Sequence, residues 1–407
     1  MVSIAVMGHG VVGSGVVEIL LTHKQKLFAH LGEEIYVKKV LDLREFPDSP
    51  IADRFTKSFD DIINDLEIRV VVEVMGGINP AYDYVKRSLK AGKSVVTSNK
   101  ELVAAHGAEL LELARQENVN FLFEASVGGG IPIIRPMNQC LVANNVDEIA
   151  GILNGTTNFI LTKMIEDGMQ FDDALKLAQD LGFAERNPAA DIEGHDACRK
   201  ICILASLAFG KHVYPDAVHT EGITNITLED VKFAEKFGCV IKLISRVKKL
   251  DNGKIDIITA PMLVPNKSQL ANIDYEFNGI MVRGDCTGDV VFYGKGAGKL
   301  PTASAVCADI VDCCMHLKKR RFLFWADGDG SNIISVDDSV FKMYLRLNGD
   351  NAVKKAEAVF GKVSAIEDDK RGAVITEAMT LAQFSEKCAK LSAEGVKILS
   401  TIRMGEL

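Results

Sequence analysis

The stretch Val2-Ser-Ile-Ala-Val-Met-Gly-His-Gly-Val-Val-Gly13 decides the fold of the first part of this chain. Its apolar run predicts a buried strand, and a Gly-x-Gly-x-x-Gly turn follows the strand and opens a helix. The first glycine allows a tight turn, the second lets backbone amides approach a pyrophosphate, and the third lets helix and strand pack closely. This context favours a dinucleotide site over a glycine-rich surface turn. It leaves His9 either beside the pyrophosphate or facing solvent.

Short Val/Ile-rich runs alternate with helical patterns over the first 130 residues. The predicted strands are Val2–Met7, Ile35–Leu41, Val70–Val74, Ser94–Thr97 and Asn120–Phe123. The predicted helices between them are Val11–Leu21, Phe59–Asn64, Ala81–Ala91 and Glu101–Glu117. Strands that are apolar throughout indicate a parallel sheet buried on both faces. We therefore expect an α/β, Rossmann-type doubly wound domain over residues 1–130, completed by a long Ala/Val-rich helix at 299–318.

The pattern changes to α+β after residue 130. We predict a helix over Pro132–Val142, a strand over Val146–Leu153, two helices within Thr157–Gly182 and several strands from about Ala217 to Tyr293. This indicates an α+β domain with a mixed sheet over residues 131–298. Residues 339–407 follow the order β-α-β-β-α-β, which is typical of ferredoxin-like modules. We expect this tail to be a separable unit whose removal leaves catalysis intact.

The composition excludes several classes of protein. The chain has 407 residues, 47% of them hydrophobic and 25% charged, and a formal net charge of −8. That charge argues against nucleic acid as a partner, and no apolar run is long enough to span a membrane. Nine cysteines without a Cys-x-x-Cys pair indicate reduced thiols. Together with an N-terminus that enters a strand directly, they predict a cytoplasmic protein. The eight scattered histidines argue against a zinc site.

Polar residues at the predicted strand ends are the candidates for binding the cofactor. Asp42 could bond the ribose hydroxyls of NAD, whereas Arg44 could pair with the 2′-phosphate of NADP, so both cofactors stay open. Lys57 could assist the phosphate or be an ordinary solvated lysine. Lys100 begins a helix, where the positive end of the dipole disfavours a cation. We interpret it as held there for a purpose, facing the nicotinamide and the reacting oxygen.

The segment Asp191-Ile-Glu-Gly-His-Asp-Ala-Cys-Arg-Lys200 gathers carboxylates and one amine at the start of one predicted helix. Asp196 and Lys200 are four residues apart and share a helix face, and Glu185 precedes them. Taken alone, the pattern fits a capped, solvated helix start. Next to a dinucleotide motif, it indicates a site that holds a small zwitterion and moves a proton.

Three further turns place backbone groups where a ligand could bind. Asn154-Gly-Thr-Thr-Asn158 caps a helix whose exposed amides could bind a carboxylate. Glu124-Ala-Ser-Val-Gly-Gly-Gly-Ile131 could coordinate a hard cation or form a plain hinge. Gly294-Lys-Gly-Ala-Gly298 opens the later long helix and allows close backbone approach.

Four of these motifs together resemble the homoserine dehydrogenase family over about residues 1–320. They are Glu124-Ala-Ser-Val-Gly-Gly-Gly-Ile-Pro132, Asn154-Gly-Thr-Thr-Asn158, Asp191-x-Glu-Gly-x-Asp-Ala-x-x-Lys200 and Gly296-Ala-Gly-x-Leu-Pro-Thr302. The resemblance implies reversible NAD(P)H-dependent reduction of L-aspartate 4-semialdehyde to L-homoserine, in threonine, methionine and isoleucine biosynthesis. It also implies that residues 131–298 bind substrate and form a dimer interface.

The expected site residues follow from the motifs and the resemblance. The catalytic residues at the reacting oxygen are Lys200 and Lys100. The substrate-binding residues are Glu185, Asp191, Asp196, Gly155 and Thr156. The cofactor-binding residues for NADP or NAD are Gly8, Gly10, Val11, Val12, Gly13, Arg44, Gly76, Thr97, Lys100, Gly296 and Gly298. A monovalent cation, Na⁺ or K⁺, is expected at Glu124, Val127, Gly129 and Ile131.

The tail resembles the ACT regulatory domain of the same family but departs from its pattern. The usual Pro-Gly-Val-Leu after the first strand is replaced by Leu347-Asn-Gly-Asp-Asn-Ala-Val353. The module is therefore expected either to bind an amino-acid effector or to serve only assembly. The partners expected are a small-molecule substrate and copies of the same chain, as a dimer or a tetramer.

Three other functions compete with this interpretation. An aspartate-semialdehyde dehydrogenase would oxidise an aldehyde through a thioester and would need an activated cysteine. Cys198 and Cys202 are the candidates, but their place in or beside an apolar helix suits packing. A nucleotide sensor without enzymatic activity would not need the acid and lysine cluster. Another amino-acid semialdehyde or alcohol dehydrogenase is also open.

Overall fold

The computed structural model describes residues 1–321, 323–368 and 371–407. Its contacts divide the chain into two compact units. The first unit comprises Met1–Asn145, Cys202–Pro215 and Phe292–Asp329, and the second comprises Val146–Ile201, Asp216–Val291 and Gly330–Leu407. Among the residues described, none of the helices combines the length and apolar character that a membrane crossing requires.

The secondary structure follows the chain from end to end. The strands are β1 (Val2–Met7), β2 (Ile35–Leu41), β3 (Phe55–Thr56), β4 (Ile68–Glu73), β5 (Ser94–Thr97), β6 (Phe121–Leu122), β7 (Val146–Ile152), β8 (His219–Thr220), β9 (Cys239–Lys249), β10 (Ile255–Pro265), β11 (Phe277–Gly284), β12 (Gly288–Lys295), β13 (Val340–Phe341), β14 (Met343–Asn348), β15 (Val363–Asp368), β16 (Arg371–Thr376), β17 (Met379–Thr380) and β18 (Lys397–Met404). The helices are α1 (Val11–Thr22), α2 (Lys24–Leu31), α3 (Asp60–Ile63), α4 (Ala81–Lys90), α5 (Lys100–Gln116), α6 (Gly155–Glu166), α7 (Phe171–Asp180), α8 (Ala189–Ile192), α9 (His195–Phe209), α10 (Leu228–Lys236), α11 (Lys299–Met315), α12 (Ala352–Phe360) and α13 (Leu381–Ala393).

The first unit contains a parallel sheet in the order β3-β2-β1-β4-β5-β6. Strand β1 pairs in parallel with both β2 and β4, so the strand order reverses at β1. All six residues of β1 are buried, as the continuous apolar run predicts. In a doubly wound sheet, the crevice for a ligand lies at the carboxyl ends of the strands beside this reversal. The predicted α/β fold is confirmed, and the Gly8–Gly13 turn lies at that position.

The later helix α11 packs on α1 within the same unit, as predicted. The Cys307 thiol of α11 lies 3.8 Å from the carbonyl oxygen of Val16 in α1. A Cβ on Gly15 would come within 3.0 Å of the Ala303 side chain, so the two helices approach closely at this glycine. This contact covers the apolar faces of both helices.

The second unit contains a mixed sheet that includes the tail. Its order is β12-β11-β7-β9-β10-β18-β14-β16-β15, with β8 paired to β10 off this path. The tail's strands β14, β15, β16 and β18 have the ferredoxin-like order 4-1-3-2 within this sheet. Strand β18 joins the tail to the preceding part by parallel pairing of Arg403 with Met262 and of Met404 with Leu263. The sequence predicts a separate tail, whereas the structure places it in one unit with residues 146–201 and 216–291.

Two of the segments that differ from the predicted secondary structure have a clear physical reason. The helix expected over Pro132–Val142 is reduced to a turn with π-helical residues Pro136–Cys140. The reason is that the backbone N–H groups of Ile133, Ile134 and Arg135 bond the Glu124 carboxylate, which fixes where the helical turn begins. The region from Ala217 to Tyr293, expected to be mainly strands, also contains α10. A capping box between Thr227 and Asp230 begins that helix.

A buried arginine of the tail completes the cap of α10. Arg346 in β14 donates from Nε to Asp230 Oδ1 at 2.8 Å and also pairs with Glu229. The Arg346 side chain is 6% exposed and the Asp230 side chain 0%. Because a buried carboxylate without its partner is costly, this pair ties the tail to the rest of the second unit.

We predict that Arg346→Met lowers the free energy of unfolding by about 3 kcal/mol, because it leaves the buried Asp230 charge uncompensated. Denaturant unfolding of the full chain measures this. The matched control is Arg371→Met, since Arg371 pairs with the same Glu229 but has a side chain that is 56% exposed. That control should change stability by less than about 1 kcal/mol. Equal losses in both variants would contradict the prediction.

Candidate active site

The Gly8–Gly13 turn has the geometry that a pyrophosphate requires. Gly8 has φ +97°, and a Cβ on Gly13 would lie 2.0 Å from the Gly8 carbonyl oxygen, so only glycine allows this close packing of strand and helix. Around Gly10, by contrast, no described residue other than its two chain neighbours has an atom within 4 Å of where its Cβ would be. The turn therefore leaves open space in front of the N-terminus of α1, where an anion is favoured. These residues fit a bound dinucleotide.

Asp42 organises the end of β2 beside this turn. Its carboxylate accepts hydrogen bonds from the backbone N–H of His9 at 2.8 Å and from the Arg44 guanidinium at 2.9 and 2.8 Å. The Arg44 side chain, together with the backbone N–H groups of Arg44 and His9, holds the pKa of Asp42 well below its usual range. The Arg44 side chain is 63% exposed and lies over the Phe46 ring. Asp42 thus orients Arg44 in the open, where a 2′-phosphate could pair with it.

Glu73 is a buried carboxylate that sequence reasoning missed. It ends β4 and accepts hydrogen bonds from the Thr97 hydroxyl at 2.6 Å and from the backbone N–H groups of Met75 and Gly76. Burial raises its pKa. The available signal was a lone carboxylate closing the otherwise apolar strand Val70-Val-Val-Glu73 at the carboxyl edge of the sheet.

The turn before α5 places Lys100 at the first position of that helix. Asn99 caps α5 by accepting from the Leu102 N–H at 3.1 Å, and it donates to the Gly77 carbonyl at 2.6 Å. Lys100 itself is half-buried. Glu73 and Asn99 therefore hold the carboxyl ends of β4 and β5 and the turns that follow them, where Gly76, Thr97 and Lys100 lie.

The Glu124 carboxylate is already engaged by the protein. It accepts three backbone hydrogen bonds, at 2.6 Å from Ile133, 2.8 Å from Ile134 and 2.7 Å from Arg135. The Glu124 N–H in turn donates to Asp309 at 2.8 Å. Cation coordination at this turn would therefore use backbone carbonyl oxygens rather than this carboxylate. Among the residues described, no group of three or more His, Cys, Asp or Glu side chains could hold a metal ion.

The second unit brings together four of the polar residues singled out in the sequence. Lys200 Nζ lies 2.8 Å from Asp196 Oδ2 and donates to the Leu153 carbonyl at 2.7 Å. The Asn154 amide donates to Asp191 Oδ1 at 2.7 Å and to Asp196 Oδ2 at 2.8 Å. The side chains of Lys200 and Asp196 are 9% and 4% exposed. The solvated helix start considered from the sequence is therefore wrong, because this ion pair is buried.

Asn154 also begins the neighbouring helix α6. Its Oδ1 accepts a hydrogen bond from the Thr157 N–H at 2.9 Å. The amides of Gly155 and Thr156 also lie in the first turn of α6, where N–H groups have no partner within the helix. The Thr156 hydroxyl donates to the Phe183 carbonyl at 2.6 Å, and Glu185 is exposed two residues further along. Gly155, Thr156 and Glu185 thus belong to the same unit as the Lys200 network. Sequence reasoning identified Asn154 as a cap but missed that its amide bridges two carboxylates.

The cysteines do not form a nucleophilic site. Cys198 and Cys202 on α9 are 3% and 0% exposed, which suits packing. None of the nine cysteines forms a disulfide. The burial of Cys198 and Cys202 argues against the thioester chemistry of the competing hypothesis, because a catalytic thiolate must be accessible to its substrate.

The first unit contains a dinucleotide-binding sheet, and the second contains a buried network of one lysine and its carboxylates. These features define an NAD(P)-dependent oxidoreductase. Two family sequence profiles match the chain: "Homoserine dehydrogenase, NAD binding domain" over residues 8–124 and "Homoserine dehydrogenase" over residues 132–311. The chain belongs to the homoserine dehydrogenase family.

Individual relatives agree with this assignment. The homoserine dehydrogenase of Bacillus subtilis (strain 168) is 39% identical over 370 residues, which cover 90% of this chain and 84% of that protein. The crystal structure of a homoserine dehydrogenase from Thiobacillus denitrificans superposes with a TM-score of 0.92 at 33% identity, covering 99% of this chain and 98% of that one. A hyperthermophilic archaeal homoserine dehydrogenase in complex with NADPH has a TM-score of 0.65 at 28% identity, covering 77% of this chain and 97% of that one.

We predict that Arg44→Ala raises the KM for NADP by about tenfold, the effect of losing one hydrogen bond to a charged group, and changes the KM for NAD much less. Initial rates of homoserine oxidation with each cofactor measure both constants. The matched control is Lys57→Ala, because Lys57 is engaged with Glu45 at 3.0 Å. It should leave the ratio of the two KM values near that of the unaltered chain. An equal rise in both KM values for Arg44→Ala would contradict the predicted role.

Proposed function

We propose that Lys200 is the general acid and base in the reversible reduction of L-aspartate 4-semialdehyde to L-homoserine, the reaction of this family. A bound NAD(P)H supplies the hydride. In the reduction, the aldehyde oxygen gains a proton from the Lys200 ammonium. In the oxidation, the hydroxyl proton of homoserine passes to the Lys200 amine. A positive group beside the oxygen also stabilises alkoxide character in the transition state.

One observation supports Lys200 above the others: its amine is held on two sides in a buried position. Asp196 lies 2.8 Å away and the Leu153 carbonyl 2.7 Å away, and together they fix the side chain before substrate binds. Such fixed geometry is what a proton donor needs. Lys100, at the positive end of α5, is proposed to act on the same oxygen, since a cation at that position is unfavourable unless it serves a purpose.

The same proposal assigns the substrate's charged groups. The carboxylates of Glu185 and Asp191 hold the substrate ammonium, and Asp196 orients Lys200. The amides of Gly155 and Thr156, at the N-terminus of α6, bind the substrate carboxylate, because the positive end of a helix dipole favours an anion. The Asn154 amide stabilises Asp191 and Asp196 together by donating to both.

The cofactor and cation assignments complete the site. NADP or NAD binds at Gly8, Gly10, Val11, Val12, Gly13, Arg44, Gly76, Thr97, Lys100, Gly296 and Gly298. A Na⁺ or K⁺ ion would be held by the backbone carbonyls of Glu124, Val127, Gly129 and Ile131, since the Glu124 side chain is engaged elsewhere. Backbone carbonyl oxygens are suitable ligands for such hard cations.

Assembly and location belong to the same proposal. We expect a dimer or tetramer, a cytoplasmic location consistent with the free thiols, and either effector binding or an assembly role for residues 339–407. The boundaries 1–130, 131–298 and 339–407 remain predictions about folding units. The buried Arg346 pair makes removal of the tail more costly than the sequence suggests.

We predict that Lys200→Ala lowers kcat for homoserine oxidation by roughly 10²–10⁴-fold, the range for loss of a general acid or base. Cofactor affinity should barely change, because the pyrophosphate binds in the first unit. A spectrophotometric assay with cofactor titration measures both. The matched control is Lys242→Met, since Lys242 is also a buried lysine paired with a carboxylate, Asp274 at 3.0 Å. It should lose stability but keep kcat within a few-fold. A folded Lys200→Ala enzyme with near-normal kcat would refute the assignment.

A further inference from the structure

The last strand of the chain shares a sheet edge with the segment that precedes Glu221. Strand β10 pairs with β8 at Ile258–His219 and Thr259–Thr220, and with β18 at Met262–Arg403 and Leu263–Met404. Both partners therefore lie along the same side of β10, one after the other. This topology brings the C-terminal end of the tail beside the chain leaving β8.

A buried arginine and a carboxylate meet at this point. Arg403 Nη1 donates to Glu221 Oε2 at 2.7 Å, and the His219 Nε2 lies 2.6 Å from Glu221 Oε1. The Arg403 side chain is 4% exposed and also lies over the Phe341 ring. Burial opposes ionisation of Glu221, but the bonds from His219 and Arg403 outweigh it and lower its pKa to about 2. A charge-assisted pair of this kind is short, directional and strong.

The residues after Glu221 lie directly on the turn that carries Asp191. The Ile223 N–H donates to the Ile192 carbonyl at 2.8 Å. A Cβ on Gly222 would lie 2.1 Å from the same Ile192 oxygen, so the two backbones are in contact. Ile192 follows Asp191 directly, and Asp191 accepts a hydrogen bond from Asn154. A shift of Glu221 is therefore expected to move the backbone at Asp191.

We propose that Arg403 is a positioning residue for the substrate site, acting through Glu221 and the contact of Gly222 and Ile223 with Ile192. This rests on the proposed role of Asp191 in binding the substrate ammonium. The tail is then part of the support of the substrate site, and any event that moves β18 changes the affinity for homoserine. The coupling is a displacement of the backbone. A displaced Asp191 carboxylate binds the substrate ammonium less well, while the cofactor turn in the first unit is unaffected.

The test uses the full chain and compares two buried arginines of the tail. Arg403→Met keeps a long side chain but removes the charge that pairs with Glu221 and lies over the Phe341 ring. It should raise the KM for homoserine about fivefold or more, as expected of a coupling between sites, with unchanged KM for the cofactor and little change in kcat. The matched control is Arg346→Met, which also breaks a buried pair of the tail but contacts Glu229 and Asp230 instead. It should leave the KM for homoserine unchanged, even though it lowers stability.

Further variants keep the result decisive. Glu221→Gln is nearly isosteric and should raise the KM for homoserine in the same way, so it carries the test even if Arg403→Met is recovered unfolded. The double variant Arg403→Met/Glu221→Gln should have a homoserine KM no higher than that of the more severe single variant, because both changes break the same interaction. Arg403→Lys should restore part of the affinity.

The outcomes separate the inference from the function on which it rests. An unchanged homoserine KM in folded Arg403→Met or in Glu221→Gln overturns the positioning role, and so does an equal rise in Arg346→Met. Asp191→Asn tests the underlying assignment separately. If Asp191→Asn leaves the homoserine KM unchanged, the proposed substrate site is wrong. If it raises the KM while Arg403→Met does not, only the positioning role of Arg403 fails.

Discussion

The Asn154 side chain makes the interaction on which the candidate site depends. Two carboxylates, Asp191 and Asp196, approach one amide that donates to both, at 2.7 and 2.8 Å. Without these donors, like charges in a largely buried place would repel and be poorly solvated. The same side chain begins α6 through its oxygen, and Asp196 shares its Oδ2 with Lys200. One residue therefore fixes the start of α6, the two carboxylates and, through Asp196, the lysine that the proposed function uses.

The fold of the first unit could be predicted from the sequence because its signals are local. A buried strand such as Val2–Met7 is apolar except for Ser3, and the glycine turn has a fixed spacing. The tail's helices and strands were also predictable, but its place was not. Pairing of Arg403 with Met262 joins residues that are 141 positions apart in the chain, and no local sequence pattern predicts it. The shortened helical turn near Pro136 was missed because a carboxylate outside the predicted helix, Glu124, fixes where the turn begins.

The candidate site was predictable in its residue types and incomplete in its connections. The spacing of Asp196 and Lys200 predicts a shared helix face, and the structure adds that the pair is buried. The bridging role of Asn154 and the support that Glu73 gives to two turns depend on contacts between separate elements. Arg403 and Glu221 were missed entirely, because an arginine near the end of a chain resembles any solvated surface residue until its burial is known.

Amine rescue of Lys200→Ala tests the central claim, that a fixed Lys200 amine moves the proton, most directly. The variant leaves a space beside Asp196 that a small primary amine such as methylamine can occupy. We expect kcat for homoserine oxidation to rise with methylamine concentration and to level off, with no such rise for the unaltered chain. A folded Lys200→Ala enzyme whose low kcat does not respond to methylamine at any concentration would contradict the account.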